Sequence, residues 1–435
     1  MPIIYENKYF KGILVFSGFW SGLAFSTSVD QLGISPGDLA TGHARVADPS
    51  PETAAYLNPA GLVGGQGSAS TLSFYQSQIE LKRLEAPQND EPLLLTDTGV
   101  SEVEEPISGV NFGYQSKLGV GGYFGFAGSV PEGFLRLYGG SGEDPSYLHY
   151  NDRSRKPELY VALAFPLRYG LSIGLGAYMS LSASGELQVG LEPDESRGRI
   201  GLSTEPVIVP YGGLRWVTPE FMEGKFALGV FYRKGHTSDV NLSTDLTAGK
   251  SDSFQVPASI RSSLSAFHDP TIYRGGIAYY ISSFGFHFAY EVVDWSEYEE
   301  PTLVLSGEDI TTLSGDVVEA RRPLGRAKNV KFGVTYEPSY LLNTTLRAGI
   351  ERRGSAVKDQ DANPYIVDPE RTVAGLGMSF NFDSPLTDSN RADTSLDFGY
   401  SYTALQQTSY DLNDGRRGSA GGYAHTVIGG FGSSF

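Results

Sequence analysis

The feature that most constrains this chain is a two-residue alternation of side-chain character that begins near Ser68 and continues to the C-terminus. In residues 171–182 (LSIGLGAYMSLS), Leu, Ile and Met fall on one face, and Ser, Gly and Tyr fall on the other. Residues 158–167, 284–292 and 395–402 repeat this pattern. Because successive side chains of a β-strand point to opposite faces, each segment is predicted to be a strand with one apolar face.

Fourteen such segments are predicted, and the lengths of their connections alternate. Long connections such as 83–105 and 131–156 follow odd-numbered segments, whereas short turns such as 116–118 and 168–170 follow even-numbered ones. This pattern is typical of a bacterial outer-membrane barrel, and it predicts an all-β fold, a 14-stranded antiparallel transmembrane β-barrel. Both termini are then periplasmic. The predicted strands lie near 69–82, 106–115, 119–130, 157–167, 171–187, 200–217, 225–238, 271–281, 284–297, 326–337, 343–354, 371–382, 394–405 and 421–435.

The composition of the second face favours this barrel over a soluble sandwich, which also alternates. A solvated sandwich face is rich in Lys, Glu and Thr, but here that face is mostly Gly, Ser and Ala, as in a lumen filled by neighbouring side chains and a plug. Five aromatic residues at predicted strand ends are candidates for the interfacial girdle. They are Tyr169, Trp216, Trp295, Tyr298 and Tyr336.

The N-terminus has the features of an export signal. Lys8 and Lys11 precede the apolar run 12–25, which is too short to span a bilayer and is followed by small residues. We predict cleavage after Ala24 or Ser26. The predicted organisation is a signal peptide at 1–26, an N-terminal hatch or plug at 27–67 and the barrel at 68–435.

Residues 50–62 (SPETAAYLNPAGL) are predicted to form the centre of the plug. Ser50 is a favoured helix cap, Pro51 suits the first helical position, and the residue before Pro59 is disfavoured in a helix. A short helix followed by a rigid exit is therefore expected. The exit residues Asn58, Pro59, Ala60 and Gly61 are the candidate hatch or gate.

Composition excludes several functions. A formal charge of −17 argues against nucleic acid as a partner, because such a protein must neutralise phosphates. The six histidines have no metal-ligand spacing, so we expect no metal, no cofactor and no catalytic residue. Residues 33–37 match the Gly-x-Ser-x-Gly pattern around Ser35, but no strand precedes them.

Two alternatives to a transport function follow from the loops. A barrel hydrolase would use Asp152 near His149, and would show lipase or protease activity. A structural or adhesive barrel would use acidic loops such as 83–105, which could also bind the divalent cations that bridge lipopolysaccharide.

Several stretches together resemble one family. Residues 58–62 (NPAGL), preceded by 40–48 (ATGHARVAD), resemble the N-terminal hatch of the FadL family of outer-membrane transporters for long-chain fatty acids and aromatic hydrocarbons (OMPP1/FadL/TodX). Residues 293–298 (VDWSEY), 345–350 (TLRAGI) and 368–371 (DPER) resemble later family segments in the same order. The resemblance implies passive uptake of a hydrophobic compound, which is held in the lumen, passes a moving hatch and leaves sideways at a kinked third strand. The residues themselves leave open whether the hatch moves or is a fixed stopper, because Pro59 stiffens its turn.

The sequence offers residues for the third-strand kink of the family and for binding a ligand. Gly119, Gly121, Gly122 and Gly125 are expected to form the third-strand kink, or to make room for the plug. The loop at 190–199 is shorter than in the family and offers no apolar landing site. Arg274, Arg347 and Arg371 are candidates for binding a carboxylate head group, because arginine forks fit carboxylates; most lumen charges are expected to pair with one another.

The expected partners are a hydrophobic small-molecule ligand, outer-membrane lipid and lipopolysaccharide. The barrel-assembly machinery is expected during biogenesis, because residues 423–435 resemble its terminal-strand signal. We expect a monomer in the Gram-negative outer membrane, and the sequence leaves open whether the substrate is a fatty acid or an aromatic hydrocarbon.

Overall fold

The computed structural model describes most of the chain between residues 28 and 434. The predicted signal peptide lies outside the described residues. The described ranges are 28–65, 67–82, 84, 106–119, 121–132, 146–150, 156–191, 196–219, 224–251, 254–298, 304–306, 324–341, 343–358, 366–383, 393–411 and 417–434.

Fourteen antiparallel strands close into one barrel, which confirms the predicted fold class. Each strand pairs with its neighbours in sequence, and β1 pairs with β14 as well as β2, so that the sheet closes on itself. The strands are β1 Ala69–Leu81, β2 Ile107–Lys117, β3 Tyr123–Pro131, β4 Glu158–Pro166, β5 Leu171–Leu191, β6 Ser196–Val217, β7 Gly224–Arg233, β8 Thr271–Ile281, β9 Phe284–Asp294, β10 Arg326–Tyr336, β11 Thr344–Arg353, β12 Arg371–Asp383, β13 Asp393–Asp411 and β14 Arg417–Ser434.

Further strands extend the sheet at the end of the barrel opposite the short turns. The segments His236–Ser251 and Phe254–Asp269 form an antiparallel hairpin between β7 and β8, where the sequence predicted a loop. Residues 242–248 of this hairpin pair in parallel with residues 185–191 of β5, and Val304–Ser306 pairs with its second strand. A separate parallel pair joins Ser146–Tyr147 to Ile366–Val367. The connections at this end are therefore partly β-structured.

The two faces of the wall follow the predicted alternation. Large apolar side chains such as Phe74, Leu175 and Leu376 are exposed on the outer face at 61, 66 and 62%. Their neighbours along each strand are buried toward the lumen. An outward apolar band around a closed barrel is the surface that a bilayer requires.

The aromatic girdle is only partly as predicted. Tyr169 and Trp216 are exposed at the short turn between β4 and β5, where the Trp216 indole donates to the Tyr169 carbonyl at 3.0 Å. The prediction is wrong for Trp295 and Tyr298, which are buried with Leu148 and Leu324 in a small core formed by the outer connections. These two rings are therefore buried by packing between the outer connections and do not face the membrane interface.

The plug consists of short helices inside the barrel. They are α1 Ser28–Leu32, α2 Pro36–Ala40 and α3 Ala54–Leu57, with 3-10 turns at Pro51–Thr53 and Pro59–Gly64. Among the described residues, none of the helices has the length and apolar character needed to cross a bilayer. The main apolar clusters lie between this plug and the wall, so the protein's core is its lumen.

Local sequence explains where the plug helices begin and end. Ser35 caps α2 by accepting from the Asp38 amide at 3.2 Å. Ser50 was predicted to be a cap, but its side chain makes no cap hydrogen bond and instead accepts from Arg45 at 2.8 Å. As predicted, α3 ends before Asn58, which is extended with φ −165° because it precedes a proline.

Candidate functional site

Inward-facing glycines bring the wall into direct contact with the plug, in most cases with its backbone. A Cβ atom added to Gly113 would overlap the carbonyl oxygen of Glu52, and one added to Gly349 would overlap Thr41 and Gly42. Any larger residue would therefore displace the plug. Ten of the fourteen strands contribute to this arrangement, which we call the glycine belt; it comprises Gly113, Gly125, Gly174, Gly213, Gly229, Gly276, Gly333, Gly349, Gly375, Gly377 and Gly399.

The plug follows the belt in chain order. Its backbone meets β13 at Pro36, β12 at Leu39 and Ala40, β10 and β11 at Thr41, and β7 and β8 at Val46 and Ala47. The plug then crosses to β2 at Glu52, and residues 58–62 contact β6, β5 and β3. The plug is thus wound against the inside of the wall and obstructs the lumen along this path.

Asn58 is the best-connected residue of the candidate hatch. Its Nδ2 donates to the carbonyls of Val46 at 3.1 Å and Leu214 at 3.2 Å, and its Oδ1 accepts from the Ala60 amide at 3.2 Å. The side chain is fully buried. It therefore joins two plug segments to each other and to β6.

The other hatch residues lie at the same place. Pro59 packs against Gly174 of β5, and the Ala60 carbonyl accepts from the Ser172 hydroxyl at 3.0 Å. A Cβ on Gly61 would overlap the ring of Pro49. The structure thus brings all four predicted hatch residues together at β5 and β6, in a docked state.

A carboxylate gives the plug a second tether. Asp48 pairs with Arg215 of β6 and accepts from the Tyr280 hydroxyl of β8, while Arg215 Nε donates to the Ala47 carbonyl at 2.9 Å. Burial would raise the pKa of Asp48, but Arg215 and Tyr280 outweigh it and hold the pKa below its usual value. Asp48 is therefore ionised where it anchors the plug.

The structure corrects the position of the third-strand glycines. Gly119, Gly121 and Gly122 precede β3 and form the tight turn from β2, where Gly121 has φ +84°. Gly125 alone lies in the strand, where it contacts Leu62 of the plug. The prediction placed them all in the strand because turn and strand glycines look alike in sequence.

Strand β3 is paired along both edges. It pairs with β2 from Tyr123 to Pro131 and with β4 from Tyr123 to Ser129, without a register shift in either ladder. Beyond Ser129 the edge toward β4 has no ladder. The wall is thus closed at β3 in this state.

A chain of ion pairs crosses the lumen from β7 to β11. Asp30 of α1 pairs with Arg233 and Arg274, both at 3.0 Å. Arg274 also pairs with Glu291, and Lys331 links Glu291 at 3.0 Å to Glu351 at 3.4 Å. These buried charges neutralise one another, as predicted for most of the lumen charges.

The three head-group candidates have different surroundings. Arg274 belongs to this chain of ion pairs. Arg371 donates to Gln31 Oε1 at 2.7 Å and lies 3.8 Å from Asp368. Arg347 donates to the Ser379 hydroxyl and has no carboxylate within 4.0 Å among the described residues. Their role as ligand residues stays a prediction.

Sequence reasoning missed the plug's contribution to these charges. Asp30 and Gln31 of α1 bind wall arginines, and His43 binds Glu351 at 2.8 Å. Asp30 in the first turn of a short N-terminal helix was visible in the sequence, but its partners depend on how the plug is wound. That path has no local sequence signal.

The candidate catalytic residues have structural roles among the described residues. Ser35 is the cap of α2. His149 lies 3.3 Å from Asp368, and its Nδ1 accepts from the Gln31 Nε2 amide at 3.2 Å. Burial lowers the pKa of His149 to about 4 and Arg371 adds to this, although Asp368 opposes it. Asp152 lies outside the described residues, and no group of three metal-binding side chains occurs within them.

The barrel is closed, has an apolar outer band and contains an N-terminal plug that obstructs its lumen. These features define the class of protein: a plugged outer-membrane β-barrel. Residues 234–429 match the family model described as outer membrane protein transport protein (OMPP1/FadL/TodX). The resemblance to the FadL family is therefore confirmed, and this family consists of outer-membrane transporters and channels for hydrophobic compounds rather than enzymes. No curated protein matches the sequence significantly.

Solved structures share the fold. A FadL homologue of Pseudomonas aeruginosa is 13% identical with a TM-score of 0.58, covering 92% of this chain and 97% of its own. The toluene transporter TodX of Pseudomonas putida is 13% identical with a TM-score of 0.58, covering 92% and 98%. The monoaromatic hydrocarbon channel CymD is 16% identical with a TM-score of 0.56, covering 92% and 97%.

Proposed function

We propose that this protein takes up hydrophobic compounds, such as long-chain fatty acids or related lipids and hydrocarbons, by passive diffusion across the outer membrane. The observation that carries the proposal is the seating of the plug backbone on the glycine belt of an outer-membrane barrel. A permanently open aqueous pore would not need such a fit, and it would not help a solute that prefers an apolar phase.

The lumen offers an apolar surface for such a ligand. Tyr56 of the plug packs edge-on against Tyr160 of β4 at 5.1 Å, and Tyr160 stacks on Tyr178 at 4.7 Å. Tyr211 and Phe231 continue this aromatic surface on β6 and β7. A ligand that displaces the α3 segment would meet these rings, so hatch movement and ligand binding would be coupled.

Sideways release at β3 is the second part of the proposal. The outer faces of β2 and β3 form an aromatic cluster, in which Phe126 lies 5.3 Å from Tyr114 and 6.2 Å from both Phe112 and Phe124. Because both edges of β3 are paired, release requires separation of one ladder. The edge toward β4 is the better candidate, since its ladder ends at Ser129.

Uptake of radiolabelled oleate and toluene by cells that lack their own transporter tests the function. We expect uptake of at least one compound, at a rate that rises when the hatch is released by N58A together with P59A. A folded barrel in the outer membrane that takes up neither compound would contradict the proposal and favour the hydrolase or adhesive function.

A reversible cross-link tests the exit separately. The chain has no cysteine, so F124C with L163C would give a single disulfide across the paired β3 and β4 residues. The matched control is F288C with F332C, which are paired across β9 and β10. In proteoliposomes, oxidation should stop uptake only for the β3–β4 pair, and reduction should restore it. Equal uptake by both oxidised variants would refute release at this edge.

A further inference from the structure

Arg45 of the plug and Arg347 of β11 converge on the backbone of Gly37. A Cβ on Gly37 would lie 3.5 Å from Arg347 Nε and 3.6 Å from Arg45 Nη1. Within the described part of the chain, neither guanidinium has an ion pair, and the Nε atom of each is buried without a hydrogen-bond partner. Two like charges therefore lie side by side without a directly bound counter-charge.

Acids lie within electrostatic reach of these arginines, Asp48 and Glu52 of Arg45 and Asp397, Glu52 and Glu337 of Arg347, but among the described residues none is paired with them directly. Arg347 donates to Ser379, whose hydroxyl donates to Asp397. Arg45 donates to Ser50, which is also hydrogen-bonded to Glu52. Burial raises the pKa of Glu52, although Arg45 opposes this. Local compensation is thus weaker than in the chain of ion pairs above.

His287 adds two further buried nitrogens without hydrogen-bond partners among the described residues. It is 1% exposed. It lies within electrostatic reach of both Arg45 and Arg347. Buried polar nitrogens that lack partners are costly, and here four of them belong to one cluster.

The arrangement is unexpected for a chain of net charge −17, in which carboxylates to pair with these arginines are plentiful. An unpaired buried charge costs more than a paired one, whereas arginine forks bind carboxylates in two-point geometry. We propose that Arg45 and Arg347 form a binding site for the carboxylate of an amphipathic ligand between the plug and β11, on the side of the short turns. This inference rests on the proposed function and selects fatty acids over neutral hydrocarbons as substrates.

Binding to the full-length protein in a non-ionic detergent free of carboxylate tests the site. Oleate is compared with oleyl alcohol, which has the same chain without charge, and with acetate, which has the charge without the chain. R347Q should weaken oleate binding about ten- to a hundred-fold, the range expected for losing a charged hydrogen bond, and leave oleyl alcohol unchanged. R352Q is the matched control, because Arg352 lies on the same strand but is exposed and pairs with Glu370.

A second variant retains both charges. G37A places a methyl group between the two guanidinium groups at ordinary contact distances, so folding should be preserved while oleate binding weakens. Equal oleate affinity in the wild type, R347Q and G37A would overturn the carboxylate site while leaving hydrophobic uptake intact. If the wild type binds neither oleate nor oleyl alcohol, both the carboxylate site and the proposed uptake function are overturned. Tight binding of acetate would show a site for small anions rather than for an amphipathic ligand.

Discussion

Replacing Asn58 by alanine should release the hatch without unfolding the barrel. The change removes three hydrogen bonds and leaves the Val46 and Leu214 carbonyls and the Ala60 amide without this partner. At about 1 kcal/mol per net hydrogen bond, the docked plug loses roughly 3 kcal/mol. This corresponds to a roughly 100-fold larger population of the undocked state.

Hydrogen exchange measured by mass spectrometry reads this population directly. Peptides covering residues 54–64 should lose protection by about that factor in N58A, while peptides from β9 and β10 keep theirs. N111A is the comparison, because Asn111 donates one hydrogen bond to the plug, to the Gly33 carbonyl at 3.0 Å. Its loss should cost only roughly 1 kcal/mol. If N58A and N111A exchange alike with intact barrels, Asn58 is not the main tether.

Two further outcomes are expected. G213V should prevent docking at Asn58 and raise ion conductance in planar bilayers. The control G275A should conduct like the wild type, because an added Cβ there meets nothing within 4 Å. Equal conductance of the two variants would refute the steric role of the belt. Because burial lowers the pKa of His149 to about 4 from 6.5, the unfolded state binds more protons between these values, so the outer core should lose stability as the pH falls through this range. In a W20F/W216F background, Trp295 is the one tryptophan that remains, and its ring lies 5.6 Å from His149. Its fluorescence should report a transition that H149Q reduces; an unchanged transition would assign it to another group.

The barrel was predictable because its strands obey a rule that is local in sequence. Alternation fixes the faces, and the short turns fix most boundaries, so β8 was predicted with its observed ends. Errors occurred where this rule does not apply. Strand β13 continues to Asp411, and a hairpin at 236–269 replaces a predicted loop, because pairing there depends on neighbouring connections rather than on the membrane.

The plug was predictable in part. The end of α3 could be predicted from Asn58-Pro59, because the backbone conformation of a residue before proline is restricted in any surroundings. The hydrogen bond from Asn58 to Leu214 was not predictable, because it joins residues 156 positions apart. The strand face that is rich in small residues did predict a filled lumen. In the structure, the glycines of this face form the belt that contacts the plug.

Strand register explains why three similar arginines have different surroundings. Arg274 lies opposite Glu291 across β8 and β9, so a counter-charge is supplied by its neighbouring strand. Arg347 lies between Thr335 and Gly377, neither of which can neutralise it. A shift of register would change these partners, and register is not readable from one strand alone. Strand pairing therefore leaves Arg347 without a carboxylate directly opposite it, and its guanidinium reaches Asp397 only through Ser379.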